Sequence, residues 1–202
     1  MKFARDGYPF MGGSALLTLI LAYFCPLTLI VMLPVLALVI WFFRDPERTP
    51  DGPGLVSPAD GKVIEIFETE APYTGKAIKV GIFMNVFSVH VNRMPSAGTI
   101  EYLAYEPGKK WFADADKASL ENERMYIGYR SENGPILLTQ IAGLVARRIV
   151  CRLKIGDLLE RAQRFGMIKF GSKVDVYIPL TATLCVKTGQ NVKAGQTVIA
   201  VE

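Results

Sequence analysis

The sequence predicts a mainly β protein of the α+β class: a β-sandwich carrying one or two packed helices, preceded by an apolar helical hairpin. Three observations predict it. Short runs rich in β-branched and aromatic residues recur from residue 54 to the C-terminus. Gly, Pro and Asn-Gly punctuate them, as strand-and-hairpin sequences require. Before them, Gly7 to Phe43 holds no Asp, Glu, Lys, Arg or His over 37 residues.

The apolar stretch 14–43 falls between one membrane span and two. As a straight helix it would run roughly 45 Å, against a hydrocarbon core of roughly 30 Å, whereas two spans need about 40 residues. Pro26 and Pro34 interrupt it. Lys2 and Arg5 precede it, and Arg44 and Arg48 follow it. Basic flanks favour the cytoplasmic side, so balanced flanks predict that both ends stay there. The expectation is a kinked or re-entrant hairpin anchoring the chain to the cytoplasmic face of the cell membrane. A single tilted span and a buried helix pair are the alternatives. Residues 1–43 are thus expected to be an anchor and 44–202 the folded domain, joined through the Pro/Gly-rich stretch RDPERTPDGPG (44–54).

In the domain, GLVSPADGKVIEIFE, AIKVGIFMN, SVHVNRMPSAGTIEYLAYE, MYIGYRS and PILLTQIAG read as strands. RRIVCRLKIGDLLERAQRF predicts a helical section near its end, with Leu158, Leu159 and Ala162 on one side. KVDVYIPL and TLCVKTGQNVKAGQTVIAVE close the chain as strands. VSPADGKVIEI and VKAGQTVIAVE echo each other, each placing a small polar turn before a β-branched strand. The tail resembles lipoyl/biotinyl-type β-sandwiches, without a carrier lysine in a Met-Lys-Met setting.

Composition narrows the chemistry. Three cysteines without motif spacing argue for a reducing compartment and against a disulfide frame. One histidine and no paired cysteines leave metal catalysis little to work with. The net charge is only +4, but residues 147–173 hold eight basic residues against two acidic ones. No nucleic-acid-binding motif accompanies them, so an anionic lipid surface is the expected partner and nucleic acid is not.

Four places could carry chemistry, and each has a plain structural reading. Asp60 precedes a glycine, a favoured turn pair. His90 lies in an alternating stretch on the side of Ser88 and Asn92, and is the one unperturbed acid/base near neutrality. Asn122-Glu123-Arg124 is a polar triplet before a strand, and Gly171-Ser172 reads as a turn at a strand's mouth.

Together, in order, these pieces resemble phosphatidylserine decarboxylase proenzymes over about residues 44–202. SPADG, the histidine strand ending in Met94-Pro95, the Asn-Glu-Arg triplet and Phe170-Gly171-Ser172 before x-Val-Asp-Val carry the resemblance. It is closest to the short bacterial and archaeal form, and RFGMIKFGS is its most specific piece. The resemblance implies self-cleavage between Gly171 and Ser172 into a β chain, 1–171, and an α chain, 172–202, held together as a heterodimer. By implication, the Ser172 hydroxyl attacks the Gly171 carbonyl in an N-to-O acyl shift. β-Elimination and hydrolysis then leave a pyruvoyl group, with no need of metal or pyridoxal phosphate. Phosphatidylserine from the membrane would form a Schiff base there, lose CO₂ and leave as phosphatidylethanolamine. His90 is the implied proton donor, and Asp60 would orient the imidazole. Longer members of the family carry a second histidine where this chain has Arg93, which could instead hold the substrate phosphate or carboxylate. The competing expectations are the same chemistry on archaetidylserine, or a membrane-tethered lipoyl-like binding module without chemistry.

Overall fold

A computed structural model describes residues 2–108, 122–143, 148–169 and 172–201. Phe170 and Gly171, and with them the expected scissile bond, lie outside the described residues. The chain divides into two compact units, Met1–Glu47 and Arg48–Glu202.

The first unit is a closed helical hairpin. Strand β1 (Lys2–Phe3) leads through a 3-10 turn into helix α1 (Tyr8–Phe24). A second 3-10 turn at Pro26–Thr28 reverses the chain into helix α2 (Leu29–Phe42), followed by β2 (Arg44–Asp45). β1 pairs with β2 antiparallel, Lys2 opposite Asp45 and Phe3 opposite Arg44, so the two ends of the apolar segment meet. Phe10 stacks on Phe43 at 5.3 Å between ring centroids. Gly7 allows the close approach, because a Cβ there would sit 2.4 Å from the Phe43 ring. Large apolar side chains face outward along both helices, Tyr23 and Phe24 being 84% and 79% exposed. A helix apolar all round is ordinarily buried in protein or lipid.

The second unit is built from β3 (Leu55–Val56), β4 (Gly61–Ala71), β5 (Gly75–Met84), β6 (Val91–Arg93), β7 (Gly98–Glu106), β8 (Arg124–Ser131) and β9 (Gly134–Ala142). It continues through β10 (Arg148–Cys151), β11 (Leu158–Leu159), β12 (Arg164–Lys169) and β13 (Ser172–Ile178), and ends with β14 (Thr183–Leu184), β15 (Asn191–Val192) and β16 (Val198–Val201). Among the described residues, eight strands form one sheet in the order β11-β7-β8-β9-β13-β5-β4-β15. Two three-stranded sheets, β10-β12-β6 and β14-β16-β3, complete the unit. Val174, Val176 and Ile178 of β13 are fully buried in a core shared with Val80, Ile82, Ile136 and Leu138. Each such side chain contributes about 1.5–3 kcal/mol.

The two echoing stretches meet. The Ser57 N–H donates to the Thr197 carbonyl, the Gly195 N–H donates to the Ser57 carbonyl, and β15 pairs with the start of β4. Gly61 is required there, since a Cβ would lie 2.0 Å from the Phe83 carbonyl oxygen.

One local expectation fails. The section around Leu158, expected to be helical, is extended: Leu158 and Leu159 pair with Thr99 and Gly98, and Ala162 adopts a left-handed φ of 63°. Both α-helices of the described residues belong to the first unit.

Candidate functional site

Ser172 opens β13, the strand flanked by β5 on one side and β9 on the other. Its register partners are Met84 and Ala142. The residue is 0% exposed, and its hydroxyl has no hydrogen-bond partner among the described residues. An unsatisfied buried hydroxyl costs about 1–3 kcal/mol, and such groups concentrate where chemistry or strain requires them. The Asn-Glu-Arg triplet converges here: the Asn122 side-chain amide donates to the Ala142 carbonyl at 2.7 Å, and the Ala142 N–H donates to the Glu123 carbonyl.

His90 approaches from the neighbouring sheet. It immediately precedes β6, where Val91 lies opposite Met167 of β12, and its carbonyl accepts the Ile168 N–H. The backbone therefore sets His90 alongside Ile168, four residues before Ser172. The imidazole is fully buried, with Nδ1 2.9 Å from the Ser88 carbonyl oxygen. A carbonyl can only accept, so Nδ1 carries the proton and Nε2 is the basic nitrogen of the neutral ring.

Asp60 is held elsewhere. Arg48 binds both of its oxygens, Nη2 donating to Oδ2 at 2.7 Å and Nη1 to Oδ1, and the Ala194 N–H donates to Oδ1 at 2.7 Å. Its hydrogen bonds thus tie the 57–61 loop to the 194–195 turn rather than to His90. Arg93 is buried against that same turn, and a Cβ at Gly195 would come 2.5 Å from its Cδ. The Arg93 N–H donates to the Pro58 carbonyl.

Sequence reading missed two groups of residues. On the face of the sheet that carries the Ser172 side chain, Asn92 and Gln140 form a buried amide pair. The visible signal was a glutamine inside the apolar run PILLTQIA. On the opposite face, Lys173 and Lys79 each pair with both Glu65 and Asp175. Beyond its strand alternation, KVDVYI carries no mark of this cluster, yet Lys173 and Asp175 are buried. Burial pushes the Asp175 carboxyl above its ordinary value, and the two lysines offset that only in part. Burial pushes Glu65 the same way, but hydrogen bonds from Lys173 and Lys79 outweigh it and hold the carboxyl below its ordinary value. For Lys79, burial works against the charge, but Asp175 and Glu65 win and raise it. Among the described residues, no cluster of three or more His, Cys, Asp or Glu side chains could hold a metal ion.

Comparison with known proteins shows what the whole chain is similar to. The family described as Phosphatidylserine decarboxylase matches residues 35–200. A Nitratidesulfovibrio vulgaris protein named phosphatidylserine decarboxylase proenzyme is 50% identical over 205 residues, covering 99% of this chain and 94% of its own. Proteins of the same name from Magnetococcus marinus and Ralstonia nicotianae are 46% and 45% identical. They cover 96% and 98% of this chain and 92% and 94% of their own.

Proposed function

The chain belongs to the phosphatidylserine decarboxylase family, and from that premise we propose that it matures by cutting itself before Ser172 and then decarboxylates phosphatidylserine to phosphatidylethanolamine. The observation that carries this reading is the Ser172 hydroxyl, buried at the head of a central strand with no partner among the described residues.

The maturation step balances with this chain's own groups. The Ser172 oxygen attacks the carbonyl carbon of residue 171 and gives up its proton to a base, for which His90 Nε2 is the candidate. The C–N bond then breaks, the nitrogen takes a proton, and an ester remains. Loss of the Ser172 α-proton expels the carboxylate of residue 171. Water then replaces nitrogen, which departs as ammonia, and a pyruvoyl group is left at position 172. That group would supply a ketone able to take the substrate amine and to accept the electrons released with CO₂. The surroundings suit it: Ser172, its register partners Met84 and Ala142, and the hydrogen-bonded Asn92–Gln140 pair are all buried. His90 is the residue able to return a proton near neutrality. Arg93 is the proposed partner for a substrate phosphate or carboxylate.

The substrate is a lipid, and the hairpin supplies the means of reaching it. Arg5–Phe24 is long and apolar enough to cross a bilayer. The β1–β2 pairing at the base of the hairpin supports reading both ends on one side, and the basic flanks favour the cytoplasmic face.

Mass spectrometry of the purified protein tests the reading. It should find a fragment ending at residue 171 and a C-terminal fragment of residues 172–202 with a pyruvoyl N-terminus. Ser172→Ala should stay intact and inactive, and EDTA should leave wild-type turnover unchanged. An intact wild-type chain that still decarboxylates phosphatidylserine would refute the mechanism.

A further inference from the structure

The hydrogen bonds around Ser172 fix the orientation of a side chain that the reaction above does not use. The Pro58 carbonyl can only accept, so the Asn92 group 3.4 Å from it is the amide nitrogen. Asn92 must then present its oxygen to Gln140, whose Nε2 donates to it at 2.8 Å. Gln140 Oε1 is left as a buried acceptor with no hydrogen-bond partner among the described residues. Gln140 and Asn92 are both fully buried.

Strand register places that acceptor near a second orphan, the buried Ser172 hydroxyl, which also has no hydrogen-bond partner among the described residues. Ser172 lies opposite Ala142, and Val174 lies opposite Gln140. Gln140 and Ser172 therefore sit diagonally on the same face of adjacent strands, a separation that long side chains bridge. Met84, the other register partner of Ser172, brings its sulfur to within 3.9 Å of the Asn92 amide. An orphaned acceptor and an orphaned donor thus lie on one buried face of adjacent strands, and each is costly alone.

We propose that Gln140, oriented by Asn92, is a positioning residue for self-cleavage: in the precursor its Oε1 accepts the Ser172 hydroxyl and holds the oxygen in place until the proton passes to His90 Nε2. The glutamine exchanges no proton and makes no covalent bond. This rests on the maturation reading above, and it assigns a task to a residue outside the Ser172, His90 and Asp60 set.

The experiment follows the rate of self-cleavage of freshly synthesised full-length precursor on denaturing gels, beside its thermal midpoint. Gln140→Met keeps the volume and removes the acceptor. Self-cleavage should slow on the order of tenfold, the worth of one such hydrogen bond. Because Gln140→Met also orphans Asn92, the pair Gln140→Met with Asn92→Leu restores an apolar fill. That double variant should regain the wild-type midpoint yet still cleave slowly. Wild-type cleavage by Gln140→Met would overturn the proposal, as would a double variant whose regained stability brings the rate back. A wild-type chain that never cleaves would instead sink the parent reading, so the two failures are distinguishable.

Discussion

Arg48 grips both carboxylate oxygens of Asp60, and the Ala194 N–H completes the shell. The pair is largely buried, with side-chain exposures of 9% and 13%. Removing one partner strands the other charge, at a cost of about 3 kcal/mol. If this grip is the whole task of Asp60, Arg48→Met and Asp60→Asn should lower the thermal midpoint alike and slow maturation alike. A maturation block in Asp60→Asn that Arg48→Met lacks would place Asp60 with the base instead.

His90 is expected to serve twice. Its Nδ1 proton is committed to Ser88, leaving Nε2 to take the Ser172 proton in maturation and to return one in turnover. General acid-base help is worth about 10²–10⁴-fold, so His90→Ala should lose that much in each step that uses it. Cleavage and decarboxylation are followed separately. A variant that matures at the wild-type rate but fails to turn over limits His90 to the second step. One normal in both removes it from the mechanism.

What was legible in the sequence follows from what is local. Alternation in KVDVYI and the Gly-Ser punctuation located β13 to within a residue of its start at Ser172, because strand period and turn chemistry are short-range properties. The Asn133-Gly134 pair marked the β8–β9 hairpin for the same reason. The Arg48–Asp60 grip was not legible: a partner 12 residues away in a Pro-rich stretch announces itself by no spacing rule. Nor was the outcome at Leu158. Three apolar residues matched a helical period, yet the Ala162 N–H bonds the Met94 carbonyl and the Met94 N–H bonds the Gln163 carbonyl. Pairing between distant segments overrode a weak local preference.

The charge network behind β13 predicts an acid-dependent contribution to stability. Burial raises the Glu65 carboxyl, but Lys173 and Lys79 overcome it and leave the folded-state value depressed. A depressed carboxyl adds stability above its unfolded value of about 4.3 and loses it as pH falls through the folded value. Asp175 runs the other way, because burial raises it and ionisation works against the fold there. Glu65→Gln should therefore lower the unfolding free energy at pH 7 by about 1.5–3 kcal/mol. The deficit should shrink as both proteins are taken below pH 4. A deficit that is constant from pH 7 to pH 3 would show that the carboxylate charge is not what holds the lysines.

The α fragment should stay in place after cleavage, because its first strand is the middle of the sheet. β13 pairs with β5 from Ser172 opposite Met84 to Ile178 opposite Ile78, and with β9 from Ser172 opposite Ala142 to Tyr177 opposite Leu137. Its inward side chains Val174, Val176 and Ile178 have no exposure. Farther along, β14, β15 and β16 pair with each other or with β3 and β4. Pulling out residues 172–201 would open the core on both sides, so release and global unfolding should be one event. Matured protein should elute as one species under native conditions and split in denaturant. In a urea series, the fragment should separate only at the midpoint where β-sheet signal is lost. Ile178→Ala, costing about 2–5 kcal/mol, should move both midpoints down together. Release at urea concentrations that leave the remaining sheet signal intact would show that the β chain folds without its central strand.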